Sequence, residues 1–354
     1  MRVAYFYPMY HEVSFKYVAE QHVRFLSERF TVDPVDERAL VGFSPAQGTA
    51  VVLHPLLYLA GKSLDGYMHL VSRAARVVGV DVADSDRVSA DAVTIANLAD
   101  ALIVPSNFAR RAYVESGVRV PVHVVPHALD DAFLSEKPPQ DHVDELGEYI
   151  PLLQKLRERY RVLFFYALWH SDYRKGADLV FETLSQLSKE RKDFALIART
   201  GSPVFLYETE KRGIRALAIT KHLSYASMRY LYDLCDIYPL FSRGGGFELN
   251  GLEALARGEI VIAAEGGAWE EYLPREFLVP ARAWVRVFRD NPYHVGLGPE
   301  IDVEKATNKL HEVMDNIDEW KERAREHTIK IRELYSPGRV KSILISAFEG
   351  ILSV

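Results

Sequence analysis

Ser242-Arg-Gly-Gly-Gly-Phe-Glu-Leu-Asn-Gly-Leu-Glu-Ala-Leu-Ala-Arg-Gly258, running on into Glu259-Ile-Val-Ile-Ala-Ala-Glu-Gly-Gly267, is the stretch whose reading decides the fold. An apolar strand, Ile237-Tyr-Pro-Leu-Phe241, enters three glycines. Leu249, Leu252, Leu255 and Ala256 then recur at helical spacing, and Gly258 stands where a helix ends on glycine. A second buried strand and a Gly-Gly pair follow, before Ala268-Trp-Glu-Glu-Tyr272. The pattern is strand, glycine loop, helix, repeated. Glycine lets a backbone approach a ligand closely, and the free N–H groups opening the next helix favour an anion there. Glu253, one turn into that helix, is placed to accept hydrogen bonds from sugar hydroxyls. The stretch therefore suits a phosphorylated sugar or a nucleotide.

Working outward, apolar runs alternate with helical patterns along the whole chain. Strands are expected at residues 3–8, 31–35, 50–55, 77–86, 101–106 and 122–126, with helices at 13–30, 64–77, 90–98 and 107–117. The polar segment Ser135-Glu-Lys-Pro-Pro-Gln-Asp-His142 breaks the alternation and reads as the start of a linker. Beyond it a helix near 150–160 leads into strands at 162–168, 194–198 and 216–219, helices at 175–190 and 224–235, and then the glycine stretch. Residues 281–298 look irregular, and helices close the chain at about 303–316, 318–334 and 339–352. Continuous apolar strands between helices mean parallel sheets covered on both faces. Two such sheets in succession imply an N-terminal domain over 1–135, joined by the returning C-terminal helix at 337–354, a linker over 136–160, and a second domain over 161–336. Ligands of such sheets bind beyond the carboxyl ends of the strands, so a cleft between the domains is the expected site.

Composition narrows the function classes. The 354 residues are 48% hydrophobic and 26% charged, with a net charge of −6, which does not recruit nucleic acid. A single cysteine, Cys235, in an apolar helix reads as a core thiol and excludes an internal disulfide framework or a cysteine-rich zinc site. No apolar run reaches membrane-span length, and Met1-Arg-Val-Ala-Tyr-Phe-Tyr reads as a first strand rather than a signal peptide. The expectation is a cytoplasmic protein with at most peripheral contact at the inner membrane face. The helix at 15–30 mixes Lys16, Arg24 and Arg29 with aromatics, but nearby acids make it a solvated face.

Three segments resemble the family-four retaining glycosyltransferases (glycosyl transferases group 1), whose fold is GT-B. Ala99-Asp-Ala-Leu-Ile-Val-Pro-Ser-Asn-Phe108 with Val125-Pro-His-Ala-Leu-Asp130 is similar to the family's "AD-x-(hydrophobic)-PS-x-F" and "PNGVD". Arg174-Lys-Gly-Ala-Asp-Leu-Val180 is similar to "(R)KG-x-DLL". The glycine stretch is similar to "EGFG-x-xx-LEA-x-A-x-G" followed by "GG-x-x-E". The likeness runs from about Ala99 to Leu273, and the order and spacing of the set make it specific. It implies an α/β GT-B chain of two doubly wound Rossmann-like parallel-sheet domains facing across a cleft. It also implies retaining, metal-independent transfer of a sugar from a nucleotide diphosphate sugar, the co-substrate, to an acceptor hydroxyl. No further cofactor is expected, and the acceptor is a sugar, lipid-linked or protein hydroxyl.

By position, the resemblance assigns Lys175 and Arg174 to the donor diphosphate and Glu253 to the ribose. It assigns Gly246, Phe247, Glu248 and Leu249 to main-chain contacts with sugar and phosphate, and places Gly245 and Asn250 in the same donor loop. Asp130 would lie at the hinge, and His127, in place of the family's Asn, would face the cleft with His11, Asp84 and Asp86 on the acceptor side. Two departures stand out. The family has two glutamates eight residues apart; here Glu253 is the second, and Gly245 holds the first position, with Glu248 able to substitute. Trp169 stands where the family has an Arg, so His170, Arg174 or Arg199 would supply that charge. Asp84-Ser-Asp86 could hold magnesium, but an acceptor contact or a solvated loop is the expected role. The rival readings are a GT-B epimerase or phosphorylase, and a non-catalytic sugar-nucleotide-binding partner subunit. No G-x-G-x-x-G follows the first strand, which disfavours a dehydrogenase.

Overall fold

The computed structural model describes residues 1–136, 143–169, 171–202 and 204–353. Fourteen strands are formed among them. The first six make one all-parallel sheet: β1 Arg2–Tyr7, β2 Thr31–Asp36, β3 Thr49–Leu53, β4 Arg76–Val80, β5 Ala101–Val104 and β6 Val122–Val124, in the order β2-β1-β3-β4-β5-β6. The next six make a second all-parallel sheet: β7 Val162–Leu168, β8 Phe194–Thr200, β9 Ala216–Ile219, β10 Ile237–Leu240, β11 Ile260–Ala264 and β12 Leu278–Val279, in the order β12-β11-β10-β7-β8-β9. Every residue of β3, β7, β10 and β11 is buried, which is why these strands read as unbroken apolar runs. A two-stranded sheet pairs β13 Ala281–Arg286 with β14 Leu297–Ile301.

The chain forms two compact units. The first comprises Met1–Ala128, Phe288–Leu297 and Pro337–Val354; the second comprises Leu129–Val287 and Gly298–Ser336. In the first unit the closing helix Pro337–Ser353 buries Val340, Leu344, Phe348 and Ile351 in one core with Val3, Tyr5 and Tyr7 of β1. The helix Asn107–Ser116 shows how local sequence sets its ends. Ser106 accepts the Ala109 N–H at 3.0 Å as N-cap, and Gly117 leaves the helix at φ 114°.

Several expectations need correction. The boundary lies at 128/129 rather than 135. Where it is described, the segment 136–160 is no linker: Leu146 and Leu153 are fully buried in the second unit's core, and Ile150–Arg159 is a helix of that unit. Residues 137–142 lie outside the described residues. The strand expected over 77–86 stops at Val80, because the next residue, Asp81, turns its carboxylate onto the Leu57 and Val82 N–H groups, both at 2.7 Å. The region expected to be irregular after Pro280 contains β13 and β14. β13 is largely exposed, and β14, though mostly buried, is Leu-Gly-Pro-Glu-Ile, so neither strand carries an apolar run. Cys235 caps the helix Tyr225–Leu234 and is buried, and burial pushes its thiol pKa up.

Lys16 of the helix Ser14–Leu26 is paired with Glu12 at 2.7 Å, and Arg29, in the turn after it, with Glu349 at 2.7 Å. The apolar side of that helix, Val18, Ala19, Phe25 and Leu26, is buried within the unit. Among the described residues no helix is long and apolar enough to cross a membrane.

Glu259, at the entry to β11, is a costly group in the second core. It is 1% exposed, and neither carboxylate oxygen has a protein partner among the described residues. Burial, with Asp236 and Asp233 nearby, holds its pKa well above the usual range. The proton is therefore favoured in the folded chain more than in the unfolded one. Stability is greatest below the unfolded carboxyl pKa and falls as pH rises toward the folded value. Glu259→Gln is expected to raise the thermal midpoint by several degrees at pH 8 and to leave it nearly unchanged at pH 4. Calorimetry at both pH values checks this, and a lower midpoint at pH 8 would contradict it.

Candidate active site

In the second sheet the strand order reverses between β7 and β10, the topological switch point where open α/β sheets hold ligands. The loops leaving these two strands are locked together. Gly176 sits at φ 74°, and a Cβ there would lie 2.0 Å from the Phe241 carbonyl oxygen. Only glycine allows that approach, which explains the Lys-Gly pair in the sequence. The Arg243 amide donates to the Arg174 carbonyl at 2.7 Å across the same junction.

Arg243 completes the lock, and the sequence reading did not assign it a role. Its side chain is 2% exposed. It donates to both Asp178 oxygens at 2.7 Å, to Glu300 Oε2 at 2.6 Å and to the Tyr173 carbonyl at 2.7 Å. Its guanidinium also lies 4.1 Å from the Tyr173 ring centroid. Burial alone would raise the Glu300 pKa, but hydrogen bonds from Arg243 and Arg282 hold it below the usual range. An arginine between an apolar strand and a glycine run was the available signal, since a solvent-facing role there needs no fixed charge.

This lock brings together residues some seventy positions apart. Lys175 Nζ donates to Glu248 Oε2 at 2.6 Å, and Arg174 Nη1 lies 3.2 Å from Glu248 Oε1 and 2.9 Å from the Gly244 carbonyl. Tyr166 donates to the Lys175 carbonyl at 3.0 Å. Glu248 has φ 65° and ψ 70°, a left-handed conformation that costs a non-glycine residue roughly 1 kcal/mol or more. The Tyr272 hydroxyl steadies its carbonyl at 2.9 Å. A Cβ on Gly245 would meet Glu248 Oε1 at 2.1 Å, so Glu248 folds over the space that a side chain at 245 would use.

The helix Leu249–Ala256 then presents Glu253 inward. Tyr232 donates to Glu253 Oε2 at 3.0 Å, and Asn250 Nδ2 donates to the Tyr232 hydroxyl at 3.1 Å. Burial pushes the Glu253 carboxyl up to about 8, against the Tyr232 hydrogen bond, which lowers it. Phe247 is buried against Tyr272 and Tyr335, and Leu249 packs against the same core. Asn250 thus acts on Tyr232, and the Phe247 side chain belongs to the core.

Arg199, at the end of β8, lies 4.7 Å from the Trp169 ring and 3.3 Å from His222 Nδ1, and Trp169 and His222 meet edge to face at 4.5 Å. Arg199, Trp169 and His222 thus form one cluster, of which the sequence pointed to Trp169 and Arg199 but not His222. His170 lies outside the described residues. Asp130 belongs to the second unit, where it accepts the Ala132 N–H at 2.9 Å, and its charge helps raise the Glu253 pKa.

The residues expected on the acceptor side belong to the first unit, and the structure does not gather them. His11 is exposed on the loop after β1, with Nε2 3.3 Å from Glu37 Oε1, which Lys62 also reaches at 2.6 Å. Asp86 accepts the Leu297 N–H at 2.7 Å, and the Asp84 amide donates to His294 Nδ1 at 3.4 Å. Ser85 Oγ takes the Gly296 N–H at 3.2 Å. Asp84-Ser-Asp86 therefore holds the 288–297 segment to the first unit. His127, lowered to about 3 by burial and by His22, belongs to a group that the sequence did not reveal. In that group the Tyr5 hydroxyl lies 2.9 Å from His22 Nδ1 and 3.0 Å from His54 Nδ1, at the β1/β3 switch point of the first sheet. Burial lowers His22 to about 4 and holds His54 well below its usual range, so the cluster is uncharged near neutral pH.

Comparison with known proteins places the fold. No protein-family model matches the chain. It is 34% identical over 355 residues, 98% of both chains, to "Uncharacterized protein 356" of Sulfolobus islandicus rod-shaped virus 1. It is 28% identical over 267 residues to "Putative glycosyltransferase 45" of a Sulfolobus islandicus filamentous virus, covering 72% of this chain and 69% of that one. Among solved structures, Anabaena HepE in complex with UDP-glucose superposes with a TM-score of 0.69 at 12% identity, over 99% of this chain and 100% of that one. The sucrose-phosphate synthase of Thermosynechococcus elongatus superposes with a TM-score of 0.71 at 12% identity, over 99% of each chain. The fold is GT-B.

Arg243→Ala removes the common partner of Asp178 and Glu300 and leaves Glu300 buried with one cation. It is expected to destabilise the second unit by about 3 kcal/mol, as breaking one side of a buried pair does. Amide hydrogen exchange should quicken most over residues 172–178. Unchanged exchange there would contradict the locking role.

Proposed function

We propose that this chain, which belongs to the family of protein 356 of Sulfolobus islandicus rod-shaped virus 1, is a glycosyltransferase that uses a nucleoside diphosphate sugar. The observation that carries the reading is the meeting of Arg174 and Lys175 with the glycine loop at the β7/β10 switch point, one helical turn from Glu253. The name of the filamentous-virus relative supports sugar transfer, and UDP-glucose in the HepE complex supports a uridine nucleotide as donor.

In this reading the two cations hold the diphosphate, and the amides opening the helix Leu249–Ala256 add donors for its oxygens. Glu253, steadied by Tyr232 and Asn250, accepts hydrogen bonds from the ribose hydroxyls. Trp169, Arg199 and His222 offer an aromatic and cationic cluster to the rest of the donor. The bond between the sugar's anomeric carbon and the β-phosphate oxygen breaks, and Arg174 and Lys175 stabilise the charge that develops on that oxygen. The acceptor oxygen bonds to the anomeric carbon on the face that the phosphate leaves, so configuration is retained. The acceptor proton passes to the departing phosphate. The two cations take the part that a metal plays elsewhere, so the transfer is metal-independent.

Titration calorimetry with UDP and with uridine tests the assignment. Lys175→Ala should weaken UDP at least tenfold and leave uridine unchanged, whereas Glu253→Ala should weaken both. The pH dependence adds a second check. With its carboxyl at about 8, Glu253 is mostly protonated at pH 6, and ribose hydroxyls donate best to the ionised form. Uridine affinity should therefore rise severalfold from pH 6 to pH 8 in the wild type and stay flat in Glu253→Gln. Equal uridine affinity in the wild type and Glu253→Ala would contradict the ribose role.

A further inference from the structure

Glu248 stands between two cations that, in the function proposed above, belong to the donor's phosphates. Its side chain is 3% exposed and ends 2.6 Å from Lys175 Nζ and 3.2 Å from Arg174 Nη1. Its backbone is held at φ 65°, a conformation that a glutamate does not adopt for its own sake. Gly245, whose backbone has no positive φ, leaves open the volume that the carboxylate occupies. Positive φ at 248, no side chain at 245 and paired cations at 174 and 175 all place one anion at one point.

We propose that Glu248 is a built-in counter-anion. Without a donor, its carboxylate stands where a phosphate oxygen would sit between Arg174 and Lys175, and a nucleoside diphosphate binds by displacing it. This rests on the nucleotide-sugar reading of the site. Two cations and one carboxylate leave a single net positive charge, so the pair is not left as an exposed double charge that attracts every small anion. A diphosphate brings more charge and more acceptor oxygens than the carboxylate, and it prevails where a single weak anion does not. The exchange moves Glu248 from phosphate surrogate to neighbour of the incoming sugar, where it can accept hydrogen bonds from sugar hydroxyls. It thereby makes up for the glutamate that Gly245 replaces.

Two variants remove the competition by different routes. Glu248→Gln keeps the shape and removes the charge. Gly245→Ala keeps the charge but sets a Cβ 2.1 Å from Glu248 Oε1 and 2.7 Å from its Cδ, and the flexible end of the glutamate must move off the cations. Calorimetry with UDP and with uridine, on the full chain, reads the result. Both variants are expected to bind UDP about tenfold tighter than wild type, with uridine affinity unchanged. UDP affinity that is unchanged or weaker in the variants, while wild type still binds UDP, would show that Glu248 orders the cations rather than competing for them. That result overturns this proposal alone. No UDP binding by wild type or either variant would overturn the nucleotide reading as well. Should Glu248→Gln fail to fold, Gly245→Ala decides the matter, because it leaves all three charged groups in the chain.

Discussion

The missing side chain at Gly176 is the constraint on which the second domain's site depends. The loop after β7 and the loop after β10 touch backbone to backbone there, with no room for a Cβ beside the Phe241 carbonyl. Arg243 then ties Asp178, Glu300 and the Tyr173 carbonyl around that contact. A parallel sheet whose order reverses always opens a crevice at the reversal. Here the crevice is closed tightly enough that Lys175 and Glu248 become hydrogen-bond partners. The arrangement of charge is thus a consequence of packing, and not a separate design.

Three carboxylates of this domain show how environment sets chemistry. Glu300 has two guanidinium partners, and its pKa stays below the usual range despite burial. Glu253 has the Tyr232 hydroxyl as a hydrogen-bond donor and the Arg199 charge in range, and burial still lifts it to about 8. Glu259 has no protein partner for either oxygen among the described residues and is pushed well up. The first is a structural strut, and the third is a cost borne by the core. The second lies at the carboxyl edge of the sheet in reach of a ligand. A raised pKa marks both Glu253 and Glu259, and it is position relative to the switch point that separates them.

The sheets were legible because parallel strands buried on both faces leave unbroken apolar runs, and the glycine stretch was legible because it joins two of them. Lys175, Arg174, Glu248 and Glu253 could be named from the sequence, since each sits at a fixed offset from a strand end within a motif that resembles a known family. What the sequence hid depends on partners far along the chain. Asp84 and Asp86 read as an acceptor contact or a solvated loop, yet their neighbours are His294 and Leu297, more than two hundred residues away. Tyr5, His22 and His54 share one hydroxyl between two imidazoles, and no periodicity links their positions. Arg243 read as one more loop residue because its partners come from two distant stretches, 173–178 and Glu300. The β13–β14 pair escaped because β13 is largely exposed and the buried β14 is built on Gly298, Pro299 and Glu300, so neither carries an apolar run.

Whether the β7/β10 junction is a nucleotide site whose phosphates meet Arg174 and Lys175 is tested most directly by a crystal structure of the chain grown with UDP. Diphosphate oxygens are expected within hydrogen-bond distance of Lys175 Nζ and the Arg174 guanidinium, with the ribose hydroxyls on Glu253 and the Glu248 carboxylate moved off both cations. UDP seated elsewhere, with the Lys175–Glu248 pair still closed, would contradict it.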